Sequence, residues 1–208
     1  MKALILALLC ACCACVFGAE GGWTFPTADK KSVALKDVPD WGTDGFTLEV
    51  WCRPDEEGCG YAVLLRGAFG YPNFFGGAKD INFYLVNTEG KNVSSRVYTP
   101  LELGKYHHYV MSCSKEQCEL YRDGKMMRRN KGNCIPKYVP STPIHIGNSI
   151  GWVKKNFVGV IGLVRIYGKT LSAQDVKANF EKLQKEEALP TCQELLLDED
   201  RRFGEKKR

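Results

Sequence analysis

The chain has 208 residues, a formal net charge of +5, 44% hydrophobic and 25% charged residues, and ten cysteines. That is enough apolar material for one domain with a full core, and too much for a disordered polyampholyte.

The first twenty residues, "MKALILALLCACCACVFGAE", carry one lysine, then an apolar run that stops near Phe17, then small residues. This reads as a secretory leader rather than a membrane span. Val16-Phe17-Gly18 presents small or aliphatic residues where a signal peptidase reads, so residues 1–18 are assigned as the leader. A lipobox over Leu9-Cys10-Ala11-Cys12 fits poorly, because a cysteine fills its second position. The expected product is exported: secreted or extracellular, or periplasmic or cell-surface in a bacterium, with no stable membrane span after cleavage. Cleavage removes Cys10, Cys12, Cys13 and Cys15 and leaves Cys52, Cys59, Cys113, Cys118, Cys134 and Cys192. An even number in an oxidising compartment leads to disulfides. Asn92-Val93-Ser94 is an N-glycosylation sequon, usable in a eukaryotic host.

From Trp23 to Tyr167 short strands alternate with Gly, Asn, Asp and Pro turns. In "GFTLEVWCRP", Phe46, Leu48 and Val50 point one way, Thr47 and Glu49 the other. The segments 81–86, 107–113, 118–124, 143–147 and 158–168 have the same character, and Asp123-Gly124 supplies a turn pair that tolerates positive φ. Strands at this density predict an all-β sandwich or barrel. One helix is predicted from "LSAQDVKANFEKLQKEEA", with Ser172 as cap, Asp175 at the third position and Leu171 stapled to Val176. Its single apolar stripe, Val176, Phe180 and Leu183, places it on the sandwich. Beyond Pro190 comes a short predicted helix at Leu195–Leu197 and a charged end, so residues 184–208 are read as a tail.

The stretch "GKYHHYVMSCSKEQCELYRDGK" (104–125) holds two of the three histidines and a Cys-x4-Cys. Metal ligands must converge on one point, yet His107 and His108 are strand neighbours and face opposite sides. Cys113 and Cys118 flank a turn-length connection, which favours a disulfide hairpin, Cys113–Cys118. Cys52 and Cys59 bracket another turn-rich interval, and Cys134 is left for Cys192. Other connectivities among the six remain open.

Three of these segments resemble laminin G-like jelly-roll domains of the concanavalin A-like lectin/glucanase superfamily. "GFTLEVWCRPD" is similar to the family's "FTLEAWVKPD" strand, and "GKYHHYVMSC…CELYRDGK" to its "WHHVAVTYD…LYVDGK" hairpin, with Tyr106 in place of tryptophan. "PIHIGNS…FVGVIGLVRIYGKTLSAQDVKANF" resembles its closing "LYIGG…FNGxIDEVRIYNRALSAEEI" segment. The order and spacing match over about residues 20–183. The resemblance implies a two-sheet antiparallel jelly-roll sandwich over residues 19–183, with a short C-terminal helix packed on it. One departure is clear: Gly162-Leu163 stands where the family carries an acidic pair.

A glucanase of this superfamily needs two carboxylates about 5–5.5 Å apart on one sheet face for retention of configuration. No Glu-x-Asp-x-x-Glu strand is present, and Asp55-Glu56-Glu57 falls in a turn. The expected role is therefore non-catalytic binding, to a glycan or alternatively to an extracellular protein in an adhesion module. Loop aromatics suited to stacking on sugar rings are Trp41, Tyr71, Phe74, Phe75 and Trp152. Calcium, which relatives commonly hold, has candidate oxygens in Asp40, Asp44 and Asn148. Between Arg122 and Lys137, six basic residues face one acid. This segment reads as a solvated loop after the hairpin, and offers a surface for acidic polysaccharide. No motif for nucleic acid is found.

Overall fold

The computed structural model describes residues 14–17, 23–25, 33–35, 44–56, 61–66, 72–77, 80–99, 102–137, 144–147 and 157–185. In chain order its strands are β1 (Ala14–Phe17), β2 (Trp23–Phe25), β3 (Val33–Leu35), β4 (Phe46–Pro54), β5 (Tyr61–Arg66), β6 (Asn73–Gly77) and β7 (Ile81–Val86). Then come β8 (Asn92–Val97), β9 (His107–Cys113), β10 (Gln117–Arg122), β11 (Lys125–Lys131), β12 (Ile144–Ile146) and β13 (Gly159–Tyr167), followed by the helix α1 (Ala173–Lys185). One antiparallel sheet runs β1-β13-β4-β9-β10-β11, with β2 also on β13; the other runs β3-β12-β5-β6-β7-β8. The chain is a two-sheet antiparallel jelly-roll sandwich carrying one short helix. Among the described residues no helix is long and apolar enough to cross a membrane.

Period-2 patterning drives this arrangement, because alternate residues face the opposite sheet. Phe46, Leu48, Val50 and Cys52 of β4 meet Tyr109 and Met111 of β9, Ile161, Val164 and Ile166 of β13, and Phe74, Phe83 and Leu85 from the other sheet. All are at most 2% exposed. At roughly 1.5–3 kcal/mol for each large apolar side chain fully buried, this interior is the main source of stability.

The outer face of the first sheet is closed by α1. Val110 and Tyr121 pack with Leu171 and Val176, and Phe180 stacks on His108 with ring centroids 6.0 Å apart. The helix starts where the sequence predicts. Asp175 N–H donates to Ser172 Oγ at 3.2 Å and Ser172 N–H donates to Asp175 Oδ2 at 3.1 Å, a reciprocal capping box.

Three local features depart from simple strands. Asp123 (φ 51°) and Gly124 (φ 73°) form the two-residue β10–β11 turn, with positive φ at both positions as its twist requires. Gly162 is the extra residue of a bulge, since Ile161 pairs with Cys52 and Leu163 with Trp51. A Cβ there would lie 3.1 Å from Trp51 Cδ1. Gly162 thus occupies the family's acidic position with a bulge under the Trp51 ring. The third departure corrects the sequence reading of 122–137 as a loop: Lys125–Lys131 is the edge strand β11, fully paired with β10 apart from a bulge at Met127.

Strand β1 lies within the segment assigned as leader. In the uncut chain it pairs with Val164–Tyr167 of β13, so cleavage after Gly18 would open that edge.

Candidate functional site

The outer face of the second sheet differs from that of the first. β7 sends Ile81, Phe83 and Leu85 inward and leaves Asn82 and Tyr84 half-buried on the outside. On β8, Val93, Ser95 and Val97 face the core, while Asn92, Ser94 and Arg96 face out. Arg96 is opposite Asn82 and Ser94 opposite Tyr84. Ser94 Oγ donates to Asn82 Oδ1 at 2.9 Å, and Tyr84 OH donates to Asn92 Oδ1 at 2.8 Å. Arg96 is held by Asp80 at 3.1 Å, and Asn73 pairs with Tyr84 on the β6 side. Among the described residues no helix covers this face. It combines an aromatic ring, amides, a hydroxyl and a braced guanidinium, the groups that recognise ring C–H faces, hydroxyls and carboxylates.

The free edges of the two sheets meet along one side of the sandwich. Arg128 donates to Arg96 O at 2.9 Å and Asn130 to Ser94 O at 3.0 Å, so side chains of β11 cap the edge carbonyls of β8. The six basic residues of 122–137 are not equivalent along this seam. Arg122 is committed to Glu102 (2.5 Å) and Thr99 (2.6 Å), and Arg129 to Glu119 (2.6 Å). Lys125, Arg128, Lys131 and Lys137 are exposed, with no carboxylate partner among the described residues.

The two histidines do face opposite sides of β9. His107 donates from Nδ1 to Asp123 Oδ2 at 2.8 Å and lies beside Arg122, at the rim of the interior. Asp123 Oδ1 also accepts the His108 amide at 2.9 Å. Burial raises the Asp123 pKa, but the His107 bond, the His108 amide and the Arg122 charge outweigh it and hold the carboxyl below its usual range. His108 lies fully buried under α1, where Nε2–H donates to Glu49 Oε1 at 2.7 Å. Glu49 Oε2 accepts from Tyr167 OH (2.6 Å) and Arg165 (3.3 Å). Here too burial raises the pKa, and the His108 and Tyr167 bonds with the Arg165 charge bring it below normal. Both clusters brace the sheet, and in the second His108 Nδ1 is left without a hydrogen-bond partner.

Phe74 does not belong to a binding surface. It is 0% exposed and stacks on Phe83 at 4.3 Å, because its strand position pairs with Phe83 and turns it into the core. Phe75 lies opposite Asn82 in the β6–β7 register. Trp41, Tyr71 and Trp152 lie outside the described residues, as do Asp40, Asn148, Cys59 and Cys192. Asp44 has its side chain 92% exposed and paired with Lys115 at 3.4 Å. It is the one calcium candidate of the three that falls among the described residues, and among those residues no group of three His, Cys, Asp or Glu side chains is arranged to hold a metal ion.

Cys113 and Cys118 are directly opposite each other in the β9–β10 pair. Ser114 N–H donates to Gln117 O at 2.8 Å in the adjacent pair, which makes 113/118 a non-hydrogen-bonded position with close Cβ atoms. Both are free thiols in the structure, as are Cys52 and Cys134. Cys134 donates its amide to Ser114 O at 2.9 Å and so sits beside this pair. The half-exposed side chains of β7 and β8 are absent from the sequence-derived candidates. The alternation of "INFYLV" was the available signal for Asn82 and Tyr84, whereas "NVSSRV" is too polar to announce a strand.

Two stacked antiparallel sheets in this strand order define a jelly-roll sandwich. A laminin G family model, described as concanavalin A-like lectin/glucanases superfamily, matches residues 27–177, and the chain belongs to this superfamily. No relative among curated proteins matches by sequence. By structure the chain is similar to the CBM40 module of Ruminococcus gnavus IT-sialidase bound to α2,3-sialyllactose. The TM-score is 0.61 at 15% identity, covering 76% of this chain and 96% of that one. It is also similar to the binding domain of Paraclostridial Mosquitocidal Protein 1, with TM-score 0.56, 14% identity, and 82% and 47% coverage. For the botulinum neurotoxin serotype G binding domain the values are 0.55, 14%, 68% and 37%. The chain thus spans less than half of each toxin domain.

Proposed function

We propose that this chain is an exported, non-catalytic module that binds glycans. The observation that carries the reading is the open outer face of the second sheet, where Tyr84, Asn82, Asn92, Ser94 and Arg96 form a partly ordered polar surface. The other sheet's outer face is closed by α1. Structural likeness to a carbohydrate-binding module crystallised with sialyllactose supports it, since Arg96 suits a carboxylated sugar. The leader of residues 1–18 supplies export, and the oxidising compartment closes Cys113–Cys118.

The test is a glycan microarray with the refolded, oxidised protein, run with calcium and with chelator, beside Tyr84→Ala. Retention on a defined set of glycans, weakened at least about tenfold by Tyr84→Ala, supports the reading; tenfold corresponds to about 1.4 kcal/mol. A blank array from protein of verified fold, or full retention by the variant, overturns it. In the first case an adhesion module for an extracellular protein is the reading that takes its place.

A further inference from the structure

We infer that Cys113, Cys118 and Cys134 form a disulfide-exchange switch in which Cys118 is the shared sulfur, bonded to Cys113 in one isomer and to Cys134 in the other. The three thiols come together from different elements. Cys113 ends β9, Cys118 lies directly opposite it on β10, and Cys134 follows β11. All three are at most 1% exposed and belong to the interior that the two sheets share. The Cys118 thiol is in hydrogen-bond contact with both Cys113 and Cys134.

Backbone bonds hold the third cysteine in place. Gly132 (φ 112°) turns the chain after β11 and donates its amide to Glu116 O at 2.7 Å. Cys134 N–H donates to Ser114 O at 2.9 Å, so this segment folds back over the β9–β10 turn. Cys134 Sγ also donates to Gly132 O at 3.2 Å. Elimination along the sequence leaves Cys134 for Cys192, but burial of its sulfur against Cys118 gives it a partner inside the fold.

Three touching thiols can hold one disulfide and one thiol. The disulfide forms when Cys113 and Cys118 reduce a disulfide oxidant such as oxidised glutathione to its two thiols. In the exchange step the Cys134 thiolate attacks Cys118 Sγ and the Cys113–Cys118 bond breaks. Cys113 leaves as a thiolate and takes up the proton that Cys134 gave up, so no further oxidant is consumed.

The two isomers tie different parts of the molecule. Cys113–Cys118 closes only the β9–β10 turn, within one sheet. Cys118–Cys134 encloses β11 and constrains more of the chain. It also joins β10 covalently to the segment on which the β7–β8 turn of the other sheet rests. Thr88 N–H donates to Ile135 O at 3.0 Å, Lys137 N–H to Val86 O at 2.8 Å, and Asn87 Nδ2 to Asn133 O at 2.8 Å. Tyr84 and Asn92 flank this turn, so the isomer sets how firmly the proposed glycan face is held. That consequence rests on the glycan-binding reading; the exchange itself does not.

The test is peptide mapping of the wild-type chain, oxidised with glutathione and quenched in acid before alkylation, which needs no variant to fold. The proposal expects two species, Cys113–Cys118 with Cys134 free and Cys118–Cys134 with Cys113 free. Each, separated at low pH before alkylation, regenerates the other on return to about pH 8. Cys192→Ser leaves their ratio unchanged. Amide hydrogen exchange gives a second readout. Thr88 and Lys137 exchange at least about tenfold more slowly in Cys113→Ser, which holds Cys118–Cys134, than in Cys134→Ser, which holds Cys113–Cys118. A single linkage that never interconverts, a Cys134–Cys192 bond in the oxidised wild type, or equal amide exchange in the two variants overturns the proposal. Interconversion without any array binding refutes the glycan reading and leaves the switch; array binding without interconversion refutes the switch alone.

Discussion

Replacing Glu49 by Gln tests how the sandwich holds its helix. Glu49 and His108 are both 0% exposed beneath α1. The carboxylate accepts from His108 Nε2–H at 2.7 Å, Tyr167 OH at 2.6 Å and Arg165 at 3.3 Å. An amide can keep its oxygen toward Tyr167 and Arg165, but its NH2 then faces the His108 N–H. The imidazole must move its proton to Nδ1, which has no hydrogen-bond partner. Losing one charge-assisted bond and stranding one buried donor gives a cost of about 2–4 kcal/mol. For a domain of this size that lowers Tm by roughly 4–16 °C. Urea unfolding followed by fluorescence is the assay, with the m-value unchanged so that the midpoint shift reports stability. The coupling is the sharper part. In a His108→Leu background the same substitution should cost less by about 1 kcal/mol or more, because the conflicting donor is gone. A Glu49→Gln cost within about 0.5 kcal/mol of zero, or full additivity with His108→Leu, would refute the reasoning.

Asp123 makes a prediction about acid. Its carboxyl is held below the usual value of 3.8, so its contribution is present above that pH and is lost as pH falls through the lower folded-state value. Asp123→Asn should lower stability at pH 6 and flatten the loss between pH 6 and the acid limb; parallel pH curves for the two proteins would count against it. Gly162→Val should cost about 1–3 kcal/mol, since the new Cβ meets the buried Trp51 ring at 3.1 Å and that ring is stacked on Tyr106; thermal unfolding reads it, and a neutral variant would show that the bulge relaxes freely. Non-reducing tryptic mapping of the exported protein should find the peptides on either side of Lys115 joined through Cys113 and Cys118, and separated on reduction. A Cys118–Cys134 link in their place would assign the hairpin disulfide wrongly.

What could be read from the sequence was mostly local. Asp123-Gly124 announces its turn because both residues accept positive φ, and Ser172 to Asp175 announces the start of α1 because a capping box needs only four residues. The opposite facing of His107 and His108 follows from the pleat alone. The Leu171–Val176 staple is likewise found packed as its spacing implies. Non-local pairing carried the rest. Phe74 stands among Gly, Pro and Asn and reads as a loop aromatic until its pairing with Phe83 turns it inward. Strand β11 shows no alternation because it lies at a sheet edge and is exposed along its length, and its two apolar residues, Met126 and Met127, are adjacent rather than alternate. For the same reason the candidate face was hidden: Ser94 and Arg96 matter only once β8 is paired with β7, and Asn82 and Tyr84 were visible merely as the polar half of a strand.

The measurement that bears most directly on the central claim is the affinity of the folded, oxidised chain for its best array glycan, by titration calorimetry, for wild type and Tyr84→Ala. The account predicts saturable one-site binding that competes with the free sugar and weakens at least about tenfold when the Tyr84 ring is removed. Binding that ignores free sugar, or that Tyr84→Ala leaves intact in a protein with unchanged melting, would contradict a glycan site on the outer face of the second sheet.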